Sequence, residues 1–342
     1  FLIAIAQMIL CAGCAGTPPV QLSGPILEGD ISAGDEGLLV GFVADSQLQT
    51  RRNYNVVPFY RGRQEDGAFN VSMRPPALDW AARYMLAYNL DQLAEGGAKA
   101  VFYLGDGANN GCYDEFALGF EDGKNPPFND QGILRILADF RQKAGVPVYF
   151  VIGNHDILGA GSTSKMPRRQ KFCEDKTDGS STSLLKSRVI EIVDAFNKGN
   201  ARFGSEWVYK SSYDSNAVAQ DCGHKPEEQH RNWGCYLAAT VDAQVGTKSL
   251  QFLLLDTTDF RSVSSSELAT IDQEGMRGAM SFGTLEGETT VSQTSWFDEN
   301  ASQKIALRIA LSHYDVRSLT KKLGPFQFSR KTQRYADLFL GG

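Results

Sequence analysis

The chain has 342 residues, a formal net charge of -6, and 42% hydrophobic against 22% charged residues. That length supports one large domain or two smaller ones with a substantial buried core. The acidic balance argues against a dedicated nucleic-acid binder, and no stretch is long and apolar enough for a membrane-spanning helix.

Phe1 to Leu10 is almost wholly apolar and runs into Leu10-Cys11-Ala12-Gly13-Cys14. This is similar to a secretory h-region followed by a bacterial lipoprotein box, which implies cleavage before Cys14 and lipidation of its thiol. Residues 1–14 are therefore expected to be a signal and lipobox segment. The Gly-, Pro- and Ser-rich residues 15–36 are expected to be a flexible tether. Localisation follows as exported, periplasmic or at the cell surface, with the membrane reached through the lipid on Cys14. Ordinary signal-peptide cleavage near this point is the alternative, and an apolar N-terminal strand is the competing structural use. Export places Cys112, Cys173, Cys222 and Cys235 in an oxidising compartment, where four cysteines allow three pairings.

Leu38 to Ala44 is an apolar run of strand length that ends at Asp45-Ser46-Gln47. A carboxylate and an amide oxygen two residues apart, just past a strand, reach one ion if the backbone turns there; Asp and Ser are also ordinary turn residues. After Pro75-Pro76, helical spacing of apolar residues predicts a helix over 77–95, stopped by Gly96-Gly97. Ala100 to Leu104 predicts a strand ending at Gly105-Asp106-Gly107-Ala108-Asn109-Asn110. A Gly-rich turn after a strand is also a candidate phosphate cradle, although its spacing matches neither a dinucleotide nor a P-loop fingerprint. A helix over about 130–143 leads to the apolar run Val146 to Ile152 and then to Gly153-Asn154-His155-Asp156.

Alternating strands and helices predict a largely parallel sheet with helices packed on it. In such sheets reactive groups gather outside the carboxyl ends of the strands. Asp45, Asp106 and Asn154 each occupy that position on a successive strand, and three oxygen ligands at one edge make a metal site.

Residues 157–235 are longer than a simple connection and read as an insertion containing a helix over 183–197 and a strand over 207–213. Cys222, His224, His230 and Cys235 could hold structural zinc, but the one-residue gap between Cys222 and His224 is not a usual finger spacing. Strands over 236–241 and 250–255 joined by a Gly-containing turn predict a hairpin. The carboxylates in the following Asp256-Thr257-Thr258-Asp259 are expected to shape the turn, with support of the metal ligands from behind as the alternative. A helix over 291–303 carries Trp296 and Phe297, and a strand over 305–311 ends near His313. The last apolar run, 336–340, is of buried-strand type. Arg51, Arg52, Lys165, Arg168 and Arg169 follow the ligand loops and are candidate contacts for substrate phosphate.

With these residues together, the sequence resembles the calcineurin-like metallophosphoesterase superfamily. Asp45-Ser46-Gln47 stands where that family has Asp-x-His, and Gly105-Asp106-Gly107-Ala108-Asn109 where it has Gly-Asp-x-x-Asp. Gly153-Asn154-His155-Asp156 matches its Gly-Asn-His-Asp/Glu, and His313 its late single His. The resemblance implies an α/β fold, a layered α/β/β/α sandwich of two mixed sheets flanked by helices, spanning residues 37–342. It implies two divalent metal ions (Mn, Fe, Zn or Mg), with Asp45 and Gln47 serving one, Asn154 and His313 the other, and Asp106 bridging. It implies hydrolysis of a phosphomonoester or phosphodiester by water activated at that dinuclear site, with His155 protonating the leaving alkoxide. Gln47 and Asn109 depart from the pattern, and the family's closing Gly-His-x-His would fall immediately after Gly342, so the sequence is expected to be C-terminally truncated. These departures motivate the alternative of a degenerate member that keeps the fold as a binding or scaffolding module.

Overall fold

Strands that are apolar on both faces must be covered on both sides, and β2 (Val40–Ala44), β3 (Ala100–Tyr103) and β4 (Val148–Phe150) are used in this way. The computed structural model describes residues 5–9, 37–48, 76–108, 112–121, 123–153, 155–156, 186–213, 236–257, 291–300, 305, 307–313 and 338–341. With β1 (Ile5–Ile9), these strands form a sheet in the order β1-β2-β3-β4, parallel at every described pair. A second sheet runs β5 (Trp207–Ser211), β6 (Ala239–Val245), β7 (Lys248–Leu255), β8 (Leu307–Ser312), β9 (Leu338–Gly341). Its first three strands are antiparallel and its last two join in parallel, so it is the mixed one.

The period of two sorts the side chains of the first sheet. Val40, Phe42, Ala100, Phe102, Leu104, Tyr149 and Val151 face the second sheet and pack with Trp207, Phe252, Ile309 and Leu311. Phe102 and Phe252 mark the middle of this layer, with ring centroids 4.6 Å apart. The alternate residues Val43, Val101, Tyr103, Val148 and Phe150 face outward onto α1 (Pro76–Glu95), α3 (Ile133–Ala144) and α4 (Lys186–Lys198). The expected layers of helix, sheet and sheet are present. A short helix, α2 (Tyr113–Phe116), follows the β3 loop, and α5 (Val291–Asn300) is held at the end of β7, where the Gln293 side chain bonds both the N–H and the C=O of Asp256 at 2.8 and 2.9 Å.

Two local devices fix the layers. A Cβ on Gly41 would lie 2.7 Å from Leu93 Cδ1, so the absence of a side chain there lets α1 settle closely on β2. At the outer edge of β4, Asn197 accepts from Phe150 N–H at 2.8 Å and donates to its carbonyl at 3.0 Å. Asn200 does the same for Val148 at 3.1 and 2.6 Å. Two side-chain amides, one on α4 and one in the 3-10 turn Gly199–Phe203 that follows it, thereby take the place of a neighbouring strand.

The carboxyl ends of both sheets lie together, because His313, just past β8, reaches the carbonyl of Leu104, just past β3, at 2.9 Å. The chain ends flanking residues 157–185, 214–235 and 258–290 meet at this same edge. There the buried Lys186 ammonium lies 3.1 Å from Asp256 Oδ2, which also accepts the Leu237 N–H at 3.1 Å. The Asp256 carboxylate thus ties the end of β7 to Lys186 and Leu237; Asp259 lies outside the described residues.

The segment expected as an export leader supplies β1, paired in parallel with β2 from Ile5↔Val40 to Ile9↔Ala44. Among the described residues no helix is long and apolar enough to cross a membrane. Cys112 is buried and disulfide-bonded. Its partner, and with it the pairing of Cys173, Cys222 and Cys235, lies outside the described residues, as do His224, His230, Asn109 and the arginines and lysines at 51, 52, 165, 168 and 169.

Candidate metal centre

Past the end of β2 the chain turns through left-handed backbone at Asp45 (φ 58°) and Gln47 (φ 43°), and past β3 at Asp106 (φ 57°). Among the described residues these are the non-glycine positions with positive φ, and each costs about 1–2 kcal/mol relative to ordinary backbone. Three strained residues, all of them expected ligands, gather where the surrounding bonds over-determine the backbone. The two turns run side by side. Asp45 N–H donates to Gly105 O at 3.0 Å, Gln47 N–H to Asp106 O at 2.8 Å and Leu48 N–H to Gly107 O at 2.7 Å. Ser46 is pinned between the buried Tyr103 hydroxyl and the Gly107 carbonyl.

The third loop closes against the second through glycine. A Cβ on Gly105 would lie 2.6 Å from Gly153 N, and one on Gly153 only 2.2 Å from Asp106 N. The His155 N–H donates to Asp106 Oδ1 at 2.8 Å. The fully buried Asp156 carboxylate accepts from Gly153 N–H at 2.8 Å, Asp106 N–H at 3.0 Å and Ala108 N–H at 2.9 Å. Asp156 has taken two amides of the Gly-rich turn, those of Asp106 and Ala108, that a phosphate cradle there would use. The reading of that turn as a nucleotide site is therefore set aside.

His313 completes the group from the second sheet. Its Nδ1 is 2.9 Å from the Leu104 carbonyl, which only accepts, so Nδ1 carries the proton and Nε2 is the coordinating nitrogen, 3.3 Å from Asp106 Oδ1. One ligand atom each from Asp45, Asp106 and His313 lies within 4.8 Å of the others. The two oxygens of Asp106 face different neighbours: Oδ1 faces His313, while Oδ2 accepts from Gln47 Nε2 at 3.2 Å. His155 stands at the rim, 26% exposed, with Nε2 4.0 Å from Asp106 Oδ2. Asn154 lies outside the described residues.

The electrostatics fit a cation. Burial pushes the Asp156 carboxyl up to about 8, reinforced by Asp106, while the amides of Ala108 and Gly153 and the charge of His313 pull it back. Burial pulls the His313 imidazole down, but Asp106, Asp45, the Leu104 carbonyl and Asp156 outweigh it and leave it raised. The His313 shift reports the negative charge gathered around it, and the Asp156 shift reports burial first, with Asp106 adding to it. Two carboxylates and an imidazole nitrogen are a donor set that divalent ions accept.

Of the residues named from the sequence, Asp45, Asp106 and His313 come together, with Gln47 and His155 beside them. For Gly153-Asn154-His155-Asp156 the sequence also allows a plainer use, a strand-to-loop turn in which Asn and Asp satisfy backbone groups, and the Asp156 carboxylate is used in that way.

No family model matches the chain. No curated protein matches it significantly. Among solved structures, the chain is similar to a dimetal phosphatase from Danio rerio, with 12% identity, a TM-score of 0.44, and 89% of this chain and 80% of that one covered.

Proposed function

We propose that this chain is a metal-dependent phosphoesterase of the calcineurin-like metallophosphoesterase type, acting on a phosphomonoester or phosphodiester. The observation that carries the reading is the convergence of Asp45, Asp106 and His313 from the ends of three different strands, with their ligand atoms within 4.8 Å of one another. Asp45 and Gln47 would hold one ion, His313 and Asn154 the other, and Asp106 would lie between them. Two divalent ions (Mn, Fe, Zn or Mg) bound there would polarise the phosphoryl oxygens and render a water acidic enough to act as the nucleophile near neutral pH.

The remaining chemistry belongs to the chain. His155, at the exposed rim and 4.0 Å from Asp106, is placed to give a proton to the leaving alkoxide oxygen. The Leu104 carbonyl fixes the His313 tautomer, and the paired turns hold both carboxylates before substrate arrives. Phosphate hydrolysis by full-length protein with added Mn, measured beside Asp106→Asn and His155→Ala, is the test: both variants should lose activity, and equal activity in all three sinks the proposal.

The alternative of a non-catalytic binding or scaffolding module draws on Gln47, whose amide donates to Asp106 Oδ2 where the resemblance calls for an imidazole ligand. Metal analysis separates the two, since a folded full-length protein without stoichiometric metal favours the module.

Export with a lipid on Cys14 is part of the same proposal; the disulfide at Cys112, a bond that persists in oxidising compartments, bears on the export and not on the lipid. Cleavage before Cys14 would remove β1 and make β2 the edge of its sheet. The mass of the mature N-terminal peptide distinguishes a lipidated Cys14 from a retained Ile5–Ile9 strand.

A further inference from the structure

The turn 105–108 is bonded on both of its sides. Its carbonyls at Gly105, Asp106 and Gly107 accept the amides of Asp45, Gln47 and Leu48, so they fasten the β3 turn to the β2 turn. Its amides at Asp106 and Ala108 donate to Asp156, which also accepts from Gly153 and so fastens the β3 turn to the β4 loop. One short side chain therefore closes a chain of bonds that runs through every ligand loop of the first sheet. Asp156 is 0% exposed, so these bonds are made out of reach of water.

Neither a neutral nor an apolar residue can replace it simply. Asn offers one acceptor oxygen and turns an N–H₂ toward backbone donors, and Ala leaves three buried amides without their acceptor. Left-handed backbone at Asp106, with φ 57°, is sustained by these bonds.

We propose that Asp156 is the positioning residue that shapes the metal loops before any ion arrives, by holding the amides of Asp106, Ala108 and Gly153 on one buried carboxylate. The proposal rests on the metal-site reading and goes beyond it: Asp156 touches neither ion nor substrate, and sets the affinity of the site by placing Asp106 against His313 and Asp45.

The experiment uses the full chain stripped with a chelator and titrated with Mn²⁺, read by calorimetry and by the Mn²⁺ electron paramagnetic resonance signal. Asp156→Asn should bind Mn²⁺ about 10–100-fold more weakly than the unaltered protein, the range typical of groups that orient ligands, while circular dichroism shows it folded. Equal affinity in a folded Asp156→Asn overturns the proposal and leaves the metal-site reading standing. Failure of the unaltered protein to bind Mn²⁺ overturns both. Hydrogen exchange on the unaltered, stripped protein decides the matter should Asp156→Asn not fold. The amides of Asp106, Ala108 and Gly153 should stay protected without metal, and loss of their protection on stripping would show that the ion, and not Asp156, shapes the loops.

Discussion

Gly153→Ala is the sharpest perturbation that leaves every charge in place. The new Cβ would sit 2.2 Å from Asp106 N, 2.3 Å from Asp106 Oδ1 and 2.9 Å from Gly105 C. Unstrained contacts between heavy atoms need roughly 3.5 Å, so one loop must retreat by about 1 Å. Two of the three obstructing atoms are backbone, and no rotamer change relieves them. Asp106 lies against the new carbon while its neighbours Asp45 and His313 are held by separate strands, so a retreat of Asp106 opens the mutual spacing of 4.8 Å or less. A displacement of that size costs about 10²-fold in turnover when it separates reacting groups, and overpacking costs about 1–3 kcal/mol in stability. Gly97→Ala is the control: φ there is 88°, but nothing lies within 4 Å of the added carbon, so left-handed strain of roughly 1–2 kcal/mol is the whole expected effect. Mn²⁺ titration, hydrolysis of an aryl phosphate mono- and diester, and thermal melts on both variants supply the comparison. Full metal affinity and turnover in Gly153→Ala would refute the close approach of the two loops as the basis of the site.

Three further outcomes follow from the scaffold. Asn197→Ala strips the partners from both backbone groups of Phe150 and should cost about 1–3 kcal/mol for each group left unsatisfied, measured by urea unfolding; a change within the scatter of a surface substitution would refute the capped edge. Lys186→Met leaves the buried Asp256 carboxylate without its ammonium and should destabilise by about 3–5 kcal/mol, part of which Asp256→Asn should restore in the double variant. Cys112→Ser should lower stability by about 2–4 kcal/mol under non-reducing conditions and leave it unchanged relative to the original protein once both are reduced.

The first-sheet strands and their strand-end carboxylates were legible because covering a parallel sheet on both faces demands unbroken apolar runs, and the polar residues that end those runs stand out. Helices expected over 77–95, 130–143, 183–197 and 291–303 are found at Pro76–Glu95, Ile133–Ala144, Lys186–Lys198 and Val291–Asn300. The hairpin expected between strands over 236–241 and 250–255 is β6 and β7, turning at Gly246, where φ is 57°. His313 was legible only by position, since it lies 209 residues from its partner Leu104 and no local pattern links them. The amide pairs of Asn197 and Asn200 were not legible: each looks like any polar residue near a helix end, and its work is defined by the strand it meets. Ile5–Ile9 shows why one apolar run serves two readings, because a leader core and a buried strand ask the same composition of the chain.

The two margins of the parallel sheet differ in kind. At β4 the margin is shut by amides rooted in a helix, and no visiting chain can pair there without unseating α4. At the other margin β2 pairs with five consecutive residues of main chain, Ile5–Ile9, through ladder bonds of the kind that any extended peptide offers. A guest segment that takes the place of β1 therefore joins β2 running parallel, whereas at β4 it meets side-chain amides already in place.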